Sequence, residues 1–455
     1  MVNPRVRGLF TLFDLRSGGA FSREYRTILR TQWDTPDRVR GLQFERLTAL
    51  LQHAERHVPF YQQRFAEYGV RATDVKDFGD FARIPTLTKR DVVENADRVL
   101  SRARRGAVTR KATGGSTGER MVFYRDARSM ARNFAHVLRN HTWTGFTLGE
   151  SHALLWGAHF DLRAQQRLAN RLINFCLRQR YLDAFHMNRQ SMAVYYQRLR
   201  EWRPRLLSSY VTAATTLSDY IIDAGLAPLE IPAVTTTAEV LFPERRDRIG
   251  AALAQDVYDR VGCREIGNTA HECTAHDGLH VNAEHTVMEV VDEQSRAAAP
   301  GSEGEVLYTS LGNYVFPLIR YRVGDYAVAA GETGQCRCGR GLPKIRGLRG
   351  RVSDMLTTPD GTKVHGEYFS HLFYNTPSVL EFRVVQEGAR DIVVWLRLRE
   401  PLTQLPAVEL DPLRRAFTDL FGTNVTLEVR VVDEIPKTAS GKHRFTESRV
   451  GAVEQ

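Results

Sequence analysis

The stretch Thr-Gly-Gly-Ser-Thr-Gly-Glu-Arg at residues 113–120 is the most informative part of this chain. Glycine backbone N–H groups and small hydroxyl side chains can wrap polyphosphate oxygens, because they let the backbone approach the anion closely. The candidate nucleotide ligands in this loop are Thr113, Gly114, Gly115, Ser116, Thr117 and Gly118. No Gly-Lys-Ser/Thr follows, so the loop is not a Walker A sequence. Taken alone, its alternative interpretation is a linker turn between two strands.

A second glycine turn, Pro-Lys-Thr-Ala-Ser-Gly-Lys-His-Arg at residues 436–444, lies far along the chain. It carries Lys442 on a flexible segment, which can deliver one positive charge to a reacting phosphate or carboxylate. A single Gly-Lys near a C-terminus is usually a solvated tail. The two turns together, in this order, predict an enzyme that uses ATP to adenylate its substrate.

Composition limits the classes of partner. The chain has 455 residues, 42% of them hydrophobic and 25% charged, with a formal net charge of +10. Its arginines are scattered at helical spacing among apolar residues, as in 189–205, which is typical of a solvated helix face. Nucleic-acid binding would favour clustered basic runs, so no nucleic-acid partner is expected. An anionic substrate such as ATP accounts for part of the basicity.

The sequence shows no pattern of a signal peptide or a membrane span, and its cysteine usage is that of a reduced protein. We therefore expect a cytoplasmic protein. Residues 1–13 have basic and apolar character, but Asp14 and Arg16 interrupt them too early for a signal peptide. No stretch approaches the ~18 uncharged apolar residues of a membrane span. Five cysteines do not suggest a disulfide framework. We therefore expect no membrane partner.

Periodicity predicts the fold class. Apolar strand candidates alternate with helices from about residue 121 to 237, which indicates an α/β fold with a parallel sheet. A β-rich section follows after about residue 279, with separate strands at 318–323 and 327–330. A smaller α+β unit with a helix at 412–421 begins after Gly350. The prediction is a large multi-sheet domain, 1–350, and a small mobile domain, 351–455.

Further motifs lie between the two glycine turns. They are His-Val-Pro-Phe-Tyr at 57–61, Thr-Thr-Ala-Glu-Val-Leu-Phe-Pro at 236–243, Val-Gly-Cys-Arg-Glu at 261–265, Tyr-Arg-Val-Gly-Asp at 321–325 and Gly-Arg-Val-Ser-Asp-Met at 350–355. With them, the chain resembles the acyl-adenylate-forming superfamily, in particular its branch of phenylacetate–CoA ligases and capsule-biosynthesis (CapK) proteins. The resemblance covers nearly the whole chain.

The resemblance implies a role for each motif. Lys442 would stabilise the charge that builds up in adenylation, and Glu265 would coordinate the Mg²⁺ that bridges the phosphates. Glu239 would lie beside the adenine pocket. Asp325 would accept hydrogen bonds from both ribose hydroxyls, and Arg351 would contact the ribose or a phosphate. The loop at 113–118 would bind the β- and γ-phosphates, and residues 353–354 would be the pivot between the domains.

The acid itself is less well specified. Trp156, His159, Tyr210 and Val261 would line its pocket, and the aromatic residues suit a flat or aromatic acid. Val261 stands where the family motif usually has tyrosine. The alternative is that these side chains belong to the core.

A cluster of cysteine and histidine predicts a metal site. Cys336 and Cys338 flank one residue, and Cys273 and His280 lie upstream. Three cysteines and one histidine form a closed tetrahedral set that suits structural rather than catalytic zinc. His276 or His271 would be the substitutes for His280, and the alternative is a group of reduced thiols.

The predicted function is a two-step ligase. A carboxylate would attack the α-phosphate of Mg·ATP, and the acyl-adenylate would then pass to an acceptor, first of all the thiol of coenzyme A, after rotation of the small domain. A carrier-protein thiol, an amine or a sugar hydroxyl are the alternative acceptors. A phosphoryl-transfer enzyme that releases ADP, and a non-catalytic nucleotide-binding protein, are the alternatives from other classes. A homodimer is expected from the resemblance alone.

Overall fold

The computed structural model describes residues 4–104, 106–112, 121–156, 168–184, 187–331, 335–351, 356–360, 363–364, 368–369, 372–373, 376–399, 402–435 and 445–450. By internal contacts the chain forms two units. The larger comprises residues 1–323 and 327–348, and the smaller comprises 324–326 and 349–455. In the described part of the chain, no helix combines the length and the apolarity needed to cross a bilayer.

Strands provide the frame of both units. In chain order they are β1 Val108–Ala112, β2 Val122–Asp126, β3 His152–Trp156, β4 Gln179–Asp183, β5 Leu206–Tyr210, β6 Ala233–Thr237, β7 Val257–Cys263, β8 Gly267–Glu272, β9 Leu279–Val281, β10 Thr286–Val291, β11 Glu303–Ser310, β12 Tyr321–Ala329, β13 Lys344–Arg351, β14 Leu356–Thr357, β15 Lys363–Val364, β16 Val379–Gln386, β17 Asp391–Leu398, β18 Thr426–Val431 and β19 Thr446–Ser448.

Helices precede and connect these strands. The α-helices are Pro4–Ser17, Ala20–Thr31, Pro36–His57, Pro59–Glu67, Phe78–Phe81, Lys89–Glu94, Ala96–Val99, Ala127–Trp143, Leu168–Cys176, Arg189–Trp202, Val211–Asp223, Pro243–Ala252 and Ala407–Phe421, and a 3-10 turn spans Ala72–Asp74. Proline opens helix Pro36–His57 and helix Pro59–Glu67, where its missing N–H costs nothing.

The main sheet has eleven strands in the order β10-β11-β12-β13-β9-β8-β7-β6-β5-β3-β4. Strands β4, β3, β5, β6 and β7 run parallel to one another, as short apolar strands connected by helices usually do. The direction reverses between β7 and β8, and β8 and β9 continue antiparallel. The α/β fold class predicted from periodicity is therefore confirmed.

One predicted break does not exist. The Gly324-Asp325 step indicated a turn between two strands, but β12 runs unbroken through it. Gly324 has φ +83°, a left-handed conformation that glycine adopts without a steric penalty. The irregular residue is thus accommodated inside the strand instead of ending it.

The smaller unit is built on a four-stranded sheet in the order β18-β17-β16-β19. Its hairpin β16–β17 is antiparallel, and the two outer strands are parallel to their neighbours. Helix Ala407–Phe421 starts five residues before the predicted Pro412. Proline inside a helix removes one hydrogen bond. Here buried Leu413, Phe417 and Phe421 anchor the helix to the core and offset that loss.

Some of the arginine side chains are exposed and others are buried. Helix Arg189–Trp202 does expose Arg189, Arg198 and Arg200, as its pattern predicted. Arg139, however, is fully buried, and its Nη1 lies 2.8 Å from the Oε1 of Glu284, which is 1% exposed. A buried pair of this kind holds two helices and the sheet in one arrangement, because breaking it would leave an uncompensated charge.

Candidate functional site

The first glycine loop connects the two strands of a hairpin. Strands β1 and β2 pair antiparallel, and Ala112 lies opposite Val122. The ends of the loop are therefore held side by side, although residues 113–118 themselves lie outside the described residues. His159 and Lys442 also lie outside them, as does the side chain of Arg351. The roles of these residues stay predictions.

The turn after β7 is fixed to this hairpin by two arginines. The Nη1 of Arg264 donates to the carbonyl oxygen of Ala112 at 3.3 Å. The Nη2 of Arg125, in β2, donates to the carbonyl oxygens of Glu265 at 3.1 Å and of Arg264 at 3.4 Å. The structure therefore brings the backbone of Glu265 next to the base of the glycine loop.

Two glycines make this turn possible. At Gly262 a Cβ would lie 2.5 Å from the carbonyl oxygen of Gly267. Gly267 has φ +111°, and a Cβ there would lie 2.1 Å from the Oδ1 of Asn133. The same Asn133 oxygen accepts a hydrogen bond from the backbone N–H of Asn268 at 2.9 Å. A side chain at Gly262 would force the two sides of the turn apart, and a side chain at Gly267 would push the turn away from helix Ala127–Trp143.

Glu239 follows β6 and points at the start of helix Val211–Asp223. Its carboxylate accepts hydrogen bonds from the backbone N–H of Thr212 at 2.7 Å and from the Thr212 hydroxyl at 2.5 Å. Tyr210, the N-cap residue, makes no side-chain capping bond. Glu239 therefore caps this helix and complements its dipole, at the carboxyl edge of β5 and β6.

We expect the substitution Glu239→Ala to lower the free energy of unfolding by about 1 kcal/mol, because two first-turn donors lose their acceptor. Thermal unfolding should shift down by about 2 °C. The variant Glu239→Gln keeps an acceptor oxygen and should lose only part of this stability. Equal unfolding temperatures for Glu239→Ala and the unsubstituted protein would contradict the capping role.

Two predicted pocket residues meet at the carboxyl ends of β3 and β5. The rings of Trp156 and Tyr210 lie 4.4 Å apart. The guanidinium of Arg260 lies 5.9 Å from the Trp156 ring, and burial lowers its pKa to about 10. Val261 is 4% exposed and packs in the core on the other face of the sheet. Side chains alternate along a strand, so β7 turns Arg260, and not Val261, toward Trp156.

The four predicted metal ligands lie together. One ligand atom from each of Cys273, His280, Cys336 and Cys338 lies within 4.8 Å of all the others. The Sγ atoms of Cys273 and Cys336 are 4.0 Å apart, and the Sγ of Cys338 is 3.3 Å from the Nε2 of His280. Tetrahedral zinc with Zn–S bonds of 2.3 Å separates two sulfurs by about 3.8 Å. The donor set therefore fits a four-coordinate metal ion.

The orientation of His280 and the ionisation of Cys338 suit the binding of a cation. The Nδ1 of His280 donates to the carbonyl oxygen of Leu342 at 3.1 Å, which leaves the Nε2 lone pair directed at Cys338. Burial opposes ionisation of Cys338, but hydrogen bonds with His280 and Arg340 lower the pKa of its thiol to about 5. Burial raises the pKa of Cys273 to about 12. A divalent cation would keep this thiol ionised as well.

Two tryptophans and a glutamine from distant parts of the chain support this cluster. The Arg340 guanidinium lies between the rings of Trp33 and Trp143, 4.6 Å and 4.7 Å from their centroids. The Oε1 of Gln32 accepts from the Nε of Arg340 at 3.1 Å and from the Nε1 of Trp143 at 2.8 Å. The cysteine loop is thereby fastened to the N-terminal helices. Nothing in the sequence pairs Arg340 with tryptophans that far away.

The two substitute histidines are engaged elsewhere. The Nε2 of His276 lies 2.9 Å from Asp256, and its Nδ1 lies 3.4 Å from Glu272. These carboxylates raise its pKa, the hydrogen bond with Glu272 contributing most. His271 directs its Nδ1 to the carbonyl oxygen of Glu272 at 2.6 Å. His280 is therefore the imidazole of the cluster.

The remaining two nucleotide candidates belong to the smaller unit. Asp325 lies within β12 and is 8% exposed. Arg351 is the last residue of β13. Their predicted contacts with ribose and phosphate stay predictions.

Comparison with known proteins gives relatives along most of the chain. Residues 356–449 match the family described as the CapK C-terminal domain. The chain is 24% identical to protein CapK of Staphylococcus aureus over 406 residues, which are 89% of this chain and 88% of that protein. It is 27% identical to the phenylacetate-coenzyme A ligase of Pseudomonas putida over 339 residues, 70% of this chain and 72% of that enzyme.

Among solved structures, the fold is similar to that of 2-hydroxyisobutyryl-CoA ligase in its postadenylation state, in complex with R3-HIB-AMP. The TM-score is 0.70 at 20% identity, and the match covers 90% of this chain and 89% of that one. The shared fold extends over both units.

Proposed function

We propose that this chain is an ATP-dependent, AMP-forming ligase. Its resemblance to the phenylacetate–CoA ligase and CapK branch of the acyl-adenylate-forming ligases is confirmed by its relatives and its fold. The chain activates a carboxylic acid as the acyl-adenylate and transfers the acyl group to an acceptor, which we take to be the thiol of coenzyme A.

One observation carries the proposal. The Val-Gly-Cys-Arg-Glu turn at 261–265 is hydrogen-bonded to the base of the glycine loop, through Arg264 to Ala112 and through Arg125 to Glu265. Two motifs that are far apart in sequence therefore form one locus beside the carboxyl edge of the parallel strands. In open α/β sheets, ligands usually bind at that edge.

In the first step, a carboxylate oxygen of the acid forms a bond to the α-phosphorus of ATP, and the bond to the β-phosphate oxygen breaks, so that pyrophosphate leaves. Lys442 would neutralise negative charge on the pentacoordinate phosphorus, and residues 113–118 would hold the departing phosphates. In the second step, the acceptor sulfur bonds to the acyl carbon and AMP leaves. The thiol gives up its proton in that step.

Glu265 would hold Mg²⁺, which supplies positive charge between the phosphates. We expect Glu265→Gln to raise the Mg²⁺ concentration for half-maximal pyrophosphate release by about tenfold, since one charged ligand is lost. Glu201→Gln, an exposed site at the end of helix Arg189–Trp202, is the matched control and should leave this concentration unchanged. An unaltered Mg²⁺ requirement in Glu265→Gln would remove Glu265 from the metal site.

The cysteine cluster would hold a structural zinc ion. Cys273, His280, Cys336 and Cys338 supply four protein ligands, and a site closed in this way leaves no position for a reactive water. The ion would stabilise the fold, because its ligands join the end of β8, strand β9 and the 336–338 loop.

A nucleophile other than coenzyme A is the alternative acceptor of the acyl group, and one observation bears on this choice. CapK of Staphylococcus aureus aligns over more of this chain than the Pseudomonas putida ligase does, 89% against 70%, and residues 356–449 match the CapK C-terminal domain. A carrier-protein thiol, an amine or a sugar hydroxyl is the alternative acceptor. A homodimer and a cytoplasmic location remain expectations from the sequence.

Incubating the protein with Mg·ATP and single acids, while measuring pyrophosphate, AMP and ADP in the same samples, tests the proposal. Pyrophosphate and AMP formed only with certain acids, and AMP increased by coenzyme A, are the expected results. ADP in place of AMP would favour phosphoryl transfer. Tight ATP binding without turnover for any acid would favour a non-catalytic nucleotide-binding protein.

A further inference from the structure

A cavity of about 340 Å³ lies between helix Ala127–Trp143 and the parallel strands. One face of the helix lines it with Phe134, Val137, Leu138 and His141, at the i, i+3, i+4 and i+7 spacing of a single helical stripe. Sites for small molecules usually have volumes of ~300–1,000 Å³. The volume equals that of about eleven liquid waters at ~30 Å³ each, which is room for the body of a small organic acid.

The cavity runs along the strands. His152, at the start of β3, and Trp156, at its end, both line it. At ~3.3 Å per residue, four steps along the strand cover roughly 13 Å. Arg260 lies at the Trp156 end, which is the carboxyl edge where Glu239 and the 261–265 turn also lie. The two ends of the cavity therefore differ in character.

The end remote from Arg260 is polar and buried. The Nε2 of His152 lies 2.9 Å from the Ser208 hydroxyl, and the Gln179 amide donates to the Nδ1 of His152 at 3.3 Å. This arrangement makes Nε2–H the donor to Ser208. The hydrogen of the Ser208 hydroxyl then has no acceptor among the described residues.

His141 adds a second uncommitted group at this end. Its ring packs edge-on against His152 with the centroids 5.2 Å apart, and the residue is 5% exposed. Its buried Nε2 has no hydrogen-bonding partner in the described structure. A buried polar atom without a hydrogen-bonding partner lowers the stability of the fold. The Ser208 hydroxyl and the Nε2 of His141 can therefore each form a further hydrogen bond at this end of the cavity.

The polar end is neutral. Burial lowers the pKa of His152 to about 3, and the charge of Arg260 adds to this effect. Burial lowers the pKa of His141 well below its usual value, and the neighbouring His152 and Arg260 lower it further. Both imidazoles are therefore uncharged near pH 7, and they suit a neutral donor or acceptor better than an anion. Arg260, the cation of the cavity lining, lies beside Trp156 and favours a carboxylate there.

We propose that this cavity binds the acyl part of the substrate, and that the acid carries a neutral hydrogen-bonding group, such as a hydroxyl, at the end remote from its carboxylate. The proposal rests on the acid-activating function above. The carboxylate lies toward Arg260 and the phosphate site, the apolar middle packs against helix Ala127–Trp143, and the distal group meets Ser208 and His141.

Matched acids test this arrangement. The protein is assayed for pyrophosphate release with phenylacetate against 4-hydroxyphenylacetate, 3-phenylpropanoate against 3-(4-hydroxyphenyl)propanoate, and octanoate against 8-hydroxyoctanoate. In at least one pair, kcat/KM should favour the hydroxylated acid by about 10- to 100-fold, the effect of one or two buried hydrogen bonds. The variants Ser208→Ala and His141→Phe should reduce this ratio to about threefold or less.

Ser218→Ala is the matched control, since Ser218 is also a buried serine but bonds the carbonyl oxygen of Ala214 outside the cavity. It should keep the full ratio. Preference for the plain acid in every pair, or an unchanged ratio in Ser208→Ala and His141→Phe, would overturn the assignment while leaving adenylation intact.

Calorimetric titration of the same acids into the protein without ATP separates the two claims. If none of the six acids is turned over, their binding still tests the cavity assignment by itself. Tighter binding of a hydroxylated acid that Ser208→Ala abolishes would still support the cavity assignment. Equal binding, or no binding, of all six acids would overturn it.

Discussion

Replacing Lys442 with alanine should slow acid-dependent pyrophosphate release by about 10²- to 10³-fold. The carboxylate and the α-phosphate repel each other, and their reaction concentrates negative charge on phosphorus. A preorganised cation at that point is worth about 3–4 kcal/mol of transition-state stabilisation. The first step is measured as exchange of labelled pyrophosphate into ATP in the presence of the acid.

The second step distinguishes a catalytic lysine from a structural one. Supplied with preformed acyl-adenylate, Lys442→Ala should form thioester at a rate within about threefold of the unsubstituted protein, because the predicted domain rotation would withdraw this lysine before transfer. Lys437→Ala, in the same turn, is the control and should leave both steps unchanged. An undiminished exchange rate in Lys442→Ala would defeat the assignment.

The protein should contain one zinc ion per chain, and Cys336→Ser should abolish it. Metal loss should lower the free energy of unfolding by about 5 kcal/mol or more, because the binding energy of a structural metal is also folding energy. At ~2 °C per kcal/mol, the midpoint of thermal unfolding should fall by about 10 °C. Metal content is measured by mass spectrometry and stability by calorimetry.

Cys176→Ser is the matched control, since Cys176 ends helix Leu168–Cys176 and is not a member of the cluster. It should retain the metal and unfold within about 1 °C of the unsubstituted protein. Purified protein without metal, or a Cys336→Ser variant with a full complement of zinc, would show that the cluster is a group of reduced thiols.

Local patterns predicted the architecture well. The region from about residue 121 to 237, where strands were predicted to alternate with helices, does contain short buried parallel strands such as Leu206–Tyr210 and Ala233–Thr237. Gly324 was misinterpreted as a turn, since the sequence does not reveal whether neighbouring strands continue past a glycine. The start of helix Ala407–Phe421 was missed because proline usually marks a first turn.

The grouping of three cysteines with a histidine was predictable because cysteine and histidine at close spacing have few other uses. The structure places His280, and not His276, with the three cysteines, since carboxylates engage His276. That these residues bind a metal stays a prediction. Arg260 was missed for a different reason. The motif draws attention to Val261, and only the phase of β7 decides which neighbour faces the cavity.

The buried charges were not predictable at all. Arg139 is an arginine among apolar residues on an amphipathic helix, as are the exposed arginines of helix Arg189–Trp202. Its partner Glu284 lies 145 positions away in sequence. Long-range pairing of this kind is decided by how the helices pack, and one sequence carries no signal for it.

A single-turnover reaction with an acid labelled with ¹⁸O in its carboxylate tests whether the acid is adenylated. If the carboxylate attacks the α-phosphorus, transfer of the acyl group to coenzyme A must leave one labelled oxygen in the AMP, detected by mass spectrometry. We expect singly labelled AMP in a one-to-one ratio with thioester. Unlabelled AMP, or ADP with the label in inorganic phosphate, would contradict it.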